Sequence, residues 1–297
     1  MATAESALTL PRGRVSDYFE LTKPRVVLMV LVTTLAGFYL GGRAGFDITL
    51  ALNLLAGTAL AAGGTLALNQ YVERDTDAMM ERTRHRPLPD MRMRPAEALF
   101  FGLSATTAGL VYLLLATNLL CTAVIAAVTI IYLGAYTPLK RYTWMCNIVG
   151  AIPGALPPVA GWAAARGGLG WEAMILFAIM FLWQLPHTFA VARLYRIDYA
   201  RAGIHLLPQD NVRGGNASNP IVIAGSLGLI AVAIIPTMLG FAGITYLIIG
   251  AALGIWMLAF GVAMVRSPGN SKAARRLLLA SLVYLPIVLL VLVLDRV

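Results

Sequence analysis

Seven stretches of this chain contain no Asp, Glu, Lys or Arg: 26–42, 48–72, 98–139, 142–165, 173–192, 214–265 and 277–294. A membrane-spanning helix needs about 20 mostly apolar residues. The runs 98–139 and 214–265 are long enough for two spans each. Thr117-Asn118 would divide the first, and the segment from Gly240 to Gly243 the second. Seven runs with two of them doubled predict nine spans. No run alternates polar and apolar residues, as a lipid-embedded barrel would. The expected fold class is an all-α polytopic membrane protein. Composition agrees, with 12% charged residues where a soluble domain carries about 25%.

Nine spans place successive loops on alternate sides, and the basic residues test that. Of the 23 Lys and Arg, only Arg43, Arg166 and Arg296 fall on one side; the other twenty share the opposite side. Basic loops stay cytoplasmic. The expected topology has the N-terminus in the cytoplasm and the C-terminus outside. Residues 1–20 read as a short cytoplasmic segment, and 21–297 as a single membrane domain. The N-terminal stretch lacks an apolar signal core and makes a poor mitochondrial transit peptide, which favours a bacterial inner membrane. The formal charge of +9 is explained by basic loops at an anionic bilayer face and does not call for nucleic acid. Cys121 and Cys146 lie in apolar stretches and suggest no disulfide framework.

The acids and all three histidines, His85, His187 and His205, crowd the predicted cytoplasmic side, so any active site is expected to open there. The densest cluster begins at Asn69. Asn69, Glu73 and Asp77 recur at every fourth residue, which puts them on one face of a helix. Two carboxylates and an amide make a hard oxygen surface suited to Mg²⁺. A solvated helix end that pairs its own charges would also explain the run. Against that, Asn69 lies inside an apolar stretch, where an unused amide is costly. Pro87 and Pro89 are expected to end the helix, leaving Arg82, Arg84 and Arg86 on the turn beside it. Carboxylates for a cation next to arginines for an anion are what a metal–diphosphate complex requires.

A second cluster runs from Gln184 and His187 to Arg193, Tyr195 and Asp198; Gln184, His187, Tyr195 and Asp198 fall roughly on one helical face, and Pro186 lies within the span. A third, Lys140-Arg141, holds the only charges between residues 97 and 166. These read as membrane anchors or as phosphate ligands. Leu21-Thr22-Lys23-Pro24-Arg25 opens the first span and is a weak signal by itself. No P-loop, dinucleotide glycine motif or zinc spacing is present in the sequence. A transporter would fit nine spans and a faint four-helix repeat, but the ionisable residues gather at one face and do not line a path across the membrane.

Taken in order, several stretches resemble the UbiA-type intramembrane prenyltransferases. They are Leu21–Arg25; Asn69, Glu73, Asp77, Met80, Arg82, Thr83 and Arg86-Pro87-Leu88; Tyr136-Thr137, Lys140-Arg141 and Thr143; Gly154-Ala155, Pro157-Pro158 and Gly161-Trp162; and Trp183-Gln184, Pro186-His187 and Asp198-Tyr199. Glu73 where other branches carry Asp, together with His187, points to the branch that acts on heme. The resemblance implies transfer of a farnesyl group from farnesyl diphosphate to a vinyl group of heme b with addition of water, giving heme O and diphosphate. A sister enzyme acting on an aromatic acid or quinone precursor is the alternative. It further implies catalytic roles for Asn69, Glu73, Asp77 and Asp198, with Mg²⁺ held by Glu73, Asp77 and Asp198. Arg82, Arg86, Lys140, Arg141 and Arg193 would bind diphosphate, and His187 and Gln184 would face heme. The implied partners are the two substrates, the lipid bilayer and a heme A synthase or terminal oxidase assembly that receives the product. The chain departs from the family pattern at His205 and across Gln209–Asn216.

Overall fold

The computed structural model describes residues 14–42, 45–208 and 218–297. The start of the N-terminal segment, Arg43 and the unusual Gln209–Asn216 stretch lie outside the described residues. Among the described residues all regular structure is helical, apart from one isolated antiparallel bridge between Ala242 and Arg296. A short helix α1 (Arg14–Leu21) precedes the first span. Among the described residues nine helices are long and apolar enough to cross a membrane: α2 (Pro24–Gly41), α3 (Ile48–Ala78), α4 (Pro95–Ala116), α5 (Leu119–Leu139), α6 (Cys146–Arg166), α7 (Trp171–Leu194), α9 (Asn219–Met238), α10 (Ile244–Arg266) and α11 (Ser271–Leu294). Helix α8 (Arg196–Arg201) is a short piece after α7. The count matches the expectation from the apolar runs. In hydrocarbon a backbone must satisfy its own N–H and C=O groups, so each run has one available form.

Both expected breaks occur where the sequence places them. Asn118 starts α5 by accepting the Cys121 N–H at 2.9 Å, while its amide donates to the Ala163 carbonyl at 2.9 Å. Gly240, at φ 67°, takes the left-handed conformation that reverses the chain between α9 and α10. The next span is started by Asp295, which accepts the Tyr246 N–H at 2.6 Å. Arg296 donates to the Tyr39 and Gly42 carbonyls at the far end of α2. The chain's last residues therefore sit at the opposite end of the bundle from Lys23, as an odd number of spans requires.

Close packing depends on small residues. Helix α2 lies against the second half of α6. A Cβ on Gly37 would overlap the Pro158 carbonyl, and one on Gly161 would overlap the Thr34 carbonyl. Without a hydrophobic drive between helices in lipid, such contact is what holds neighbouring spans together. The other side of the bundle packs α7 against α6, α9 and α11. Cys121 and Cys146 are both buried and free.

One expected boundary is wrong. Helix α3 ends at Ala78 and not at Pro87. The Thr83 hydroxyl donates to the Asp77 carbonyl at 2.8 Å, and the chain turns there. The turns that follow carry Arg82, Arg84 and Arg86 back over the end of α3. Near its own end α5 widens into a π-helix over Ile131–Tyr136. This brings the Tyr132 and Tyr136 rings to 5.3 Å, and Thr137 donates to the Tyr132 carbonyl at 2.8 Å.

Candidate active site

Asn69, Glu73 and Asp77 line one face of the last turns of α3, and all three are buried. This is the negative end of the helix dipole, where carboxylates are disfavoured. The last turn of α3 carries no basic residue of its own. The compensation comes from distant parts of the chain. Arg86 donates to Asp77 at 2.6 Å. Lys140 forms an ion pair with Glu73 and lies 5.1 Å from the centre of the Tyr136 ring. Lys23 donates to the Asn69 side-chain oxygen at 3.0 Å, and the Asn69 amide donates to the Thr137 hydroxyl at 3.2 Å.

Lys23 is the residue that the sequence reading undervalued. It caps the start of α2 in a left-handed conformation, φ 50° and ψ 65°, rare for a residue with a side chain. Strained backbone of this kind concentrates at functional sites. Burial, and then the nearby Arg86 guanidinium, push the Lys23 ammonium down to about 7, against the opposing pull of Glu73 and Asp77. The signal was a lysine directly before a proline, but its partner Asn69 lies 46 residues away.

The other expected residues fall into two groups. Arg82 stacks 5.3 Å from the centre of the Tyr195 ring, and its charge also acts on the Tyr199 phenol. Burial raises that phenol above its ordinary value, with Arg82 and Lys140 partly offsetting the rise. Asp198, one residue earlier on α8, is 4.0 Å from Arg201. Among the described residues no three His, Cys, Asp or Glu side chains come together as a metal cluster. Arg141 is exposed beside Lys140.

Arg193 has other partners. It donates to the Met264 carbonyl, the Ser218 hydroxyl and the Asn219 side chain, where it ties the start of α9 to the end of α10. Six residues along a helix from His187, it points about 120° away from that side chain.

His187 and Gln184 line the inner part of α7. The Trp183 ring stacks on His187, with centroids 4.7 Å apart. His187 Nδ1 is 2.8 Å from Ser281 Oγ, and that hydroxyl donates onward to the Leu278 carbonyl at 2.6 Å. Ser281 therefore accepts from Nδ1–H, and the acceptor lone pair of the ring is left on Nε2. Gln184 packs directly on Gly154 of α6, where a Cβ would overlap its amide.

The donor set fits a hard cation. Mg²⁺ is commonly held by one or two carboxylates plus the phosphates of a substrate. Here two carboxylates and an amide oxygen face three cationic side chains that an incoming diphosphate could recruit.

The chain matches the model of the UbiA prenyltransferase family over residues 30–283. It is 44% identical to the protoheme IX farnesyltransferase of Solibacter usitatus, over 94% of this chain and 98% of the relative. It is 40% identical to the enzyme of that name from Koribacter versatilis, over 100% and 99%. Among solved structures it resembles digeranylgeranylglyceryl phosphate synthase, with a TM-score of 0.79, 18% identity and coverage of 95% of this chain and 98% of that one. It also resembles a UbiA homologue from Archaeoglobus fulgidus bound to DMAPP and Mg²⁺, with a TM-score of 0.64, 15% identity and coverage of 93% and 99%.

Proposed function

The chain belongs to the UbiA prenyltransferase family, and from that premise we propose that it transfers the farnesyl group of farnesyl diphosphate to a vinyl group of heme b. Water adds in the same reaction, and the products are heme O and diphosphate. The names of the similar full-length relatives support this acceptor. The observation that carries the donor site is the buried stripe Asn69, Glu73 and Asp77 with Lys23, Arg86 and Lys140 packed around it.

Glu73, Asp77 and Asp198, with Asn69, would hold Mg²⁺ together with diphosphate oxygens. Bound there, Mg²⁺ would shield charge on the leaving group. As diphosphate enters, Lys140 and Arg86 exchange a carboxylate partner for phosphate oxygens, and Lys23 and Arg82 add positive charge beside them. Preorganised charge of this kind lowers the barrier where negative charge develops. The allylic C–O bond then breaks, and its electron pair leaves with diphosphate. The π electrons of the vinyl group form the new C–C bond. Water captures the resulting cation next to the porphyrin and releases a proton. Tyr132 and Tyr136 offer aromatic faces to the allylic cation near Lys140. His187, through Nε2, and Gln184 contact the heme.

The location is a bacterial inner membrane, and the charge asymmetry of the loops supports a site and N-terminus at the cytoplasmic face with the C-terminus outside. Residues 21–297 act as one catalytic unit. The lipid-soluble product passes to a heme A synthase or to terminal oxidase assembly.

The test uses purified protein in nanodiscs with farnesyl diphosphate, Mg²⁺ and either heme b or 4-hydroxybenzoate. Diphosphate release that depends on heme b supports the proposal. Release driven by the aromatic acid and not by heme b would overturn the acceptor.

A further inference from the structure

A segment at which the chain departs from its family pattern is built into the basic turn of the site. Helix α8 ends at Arg201, and Gly203 at φ 65° reverses the chain. The Ile204 N–H returns to the Tyr199 carbonyl at 2.9 Å, which closes the turn as helix ends commonly do. The next residues cross over the loop between α5 and α6. The His205 N–H donates to the Lys140 carbonyl at 2.7 Å, and His205 Nδ1 is 2.9 Å from the Arg141 carbonyl. A carbonyl only accepts, so Nδ1 carries the proton. Buried Asn147 donates to the Leu206 carbonyl at 2.8 Å and fixes the far edge of the crossing. Ile204, Leu206 and Leu207 are buried beneath it.

We infer that His205 is a positioning residue for Lys140. Its two hydrogen bonds hold the backbone of Lys140-Arg141 so that the Lys140 ammonium reaches Glu73 and, in turn, the diphosphate. The same strap follows helix α8, and just before that helix the Tyr195 ring holds the Arg82 guanidinium 5.3 Å from its centre. It therefore links the Lys140 turn to the segment that carries Tyr195. A long flexible lysine placed on a loose turn would spend much of its time away from the site, because its rotamers are many. The inference rests on the proposed diphosphate role of Lys140 and not on the identity of the acceptor.

The chemistry of the contact selects the variants. The Nδ2 of asparagine stands at the same number of bonds from the backbone as His205 Nδ1, whereas the Nε2 of glutamine stands one bond further. His205→Asn keeps the donor to Arg141, and His205→Ala and His205→Gln lose it.

The measurement is binding of farnesyl thiodiphosphate, a slowly reacting analogue, to the full-length chain in nanodiscs with Mg²⁺, alongside steady-state kinetics. His205→Ala and His205→Gln are expected to weaken binding about fivefold, the effect of about one hydrogen bond. They should raise KM for farnesyl diphosphate in parallel and leave KM for heme b unchanged. His205→Asn should restore most of the loss, and the thermal midpoints of all three should match within the assay. Equal binding by wild type and His205→Ala refutes the inference. So does loss in His205→Asn as large as in His205→Ala, or a parallel rise in both KM values. Failure of the wild type to bind the analogue at all would refute the diphosphate site itself, a distinct outcome.

Discussion

Arg86→Ala isolates the electrostatics of the donor site. Asp77 is 1% exposed and its partner Arg86 20% exposed, with 2.6 Å between them. Asp77 also sits at the negative end of α3, whose last turn carries no basic residue. Removing one member of a buried pair strands the other and costs about 3–5 kcal/mol. Lys23 stands close enough to soften the loss, so the lower end, about 3 kcal/mol, is expected. At about 2 °C per kcal/mol for a chain of this size, the thermal midpoint should fall roughly 6 °C. Arg84→Ala supplies the control. Its ion pair with Glu81 has side chains 50% and 62% exposed, and exposed pairs contribute about 0–1 kcal/mol. The assay is thermal unfolding by intrinsic fluorescence in one detergent, with chelator present. Adding Asp77→Asn to Arg86→Ala should recover a large part of the loss, since the stranded charge is gone. Equal midpoints for Arg86→Ala and Arg84→Ala would show that Asp77 does not depend on Arg86, and the reasoning would fail.

Three further outcomes are expected. Lys23→Met should raise KM for farnesyl diphosphate about tenfold, the effect of one charge-assisted bond, with KM for heme b unmoved; steady-state kinetics check it, and an unchanged donor KM removes Lys23 from the site. Gly161→Ala should lower the thermal midpoint by the equivalent of about 1–3 kcal/mol of overpacking, because its Cβ meets the Thr34 carbonyl, whereas Gly168→Ala, with open space around it, should not. His187→Ala should weaken heme b binding, read as the shift of the heme absorption band on titration; an unaltered titration removes His187 from the acceptor pocket.

The spans were legible because lipid leaves an apolar run few alternatives, and two polar or glycine-rich interruptions marked where long runs divide. Asn118 shows the link plainly: its side chain caps α5 and also bonds α6. The stripe Asn69, Glu73 and Asp77 was legible because its period is that of the helix and its polarity is out of place in lipid. The end of α3 was not, because the Thr83 hydroxyl that ends it returns from six residues downstream, before either proline is reached. Lys23 was underrated because its meaning arises only when α2 is packed against α3. Arg193 finds its partners away from that stripe. Its distance from His187 in sequence already put it on another helical face, where it serves the ends of α9 and α10. The π-helical widening that pairs Tyr132 with Tyr136 left no readable trace in spacing or composition.

The central claim is that the Asn69–Asp77 stripe drives farnesyl transfer to heme. Its most direct test is the mass of the heme recovered after incubating the protein with heme b, farnesyl diphosphate and Mg²⁺, for wild type and for Glu73→Ala. The account predicts a heme heavier by one farnesyl group and one water in the wild type, and unmodified heme in the variant. Unmodified heme from the wild type, or the same product from both proteins, would contradict it.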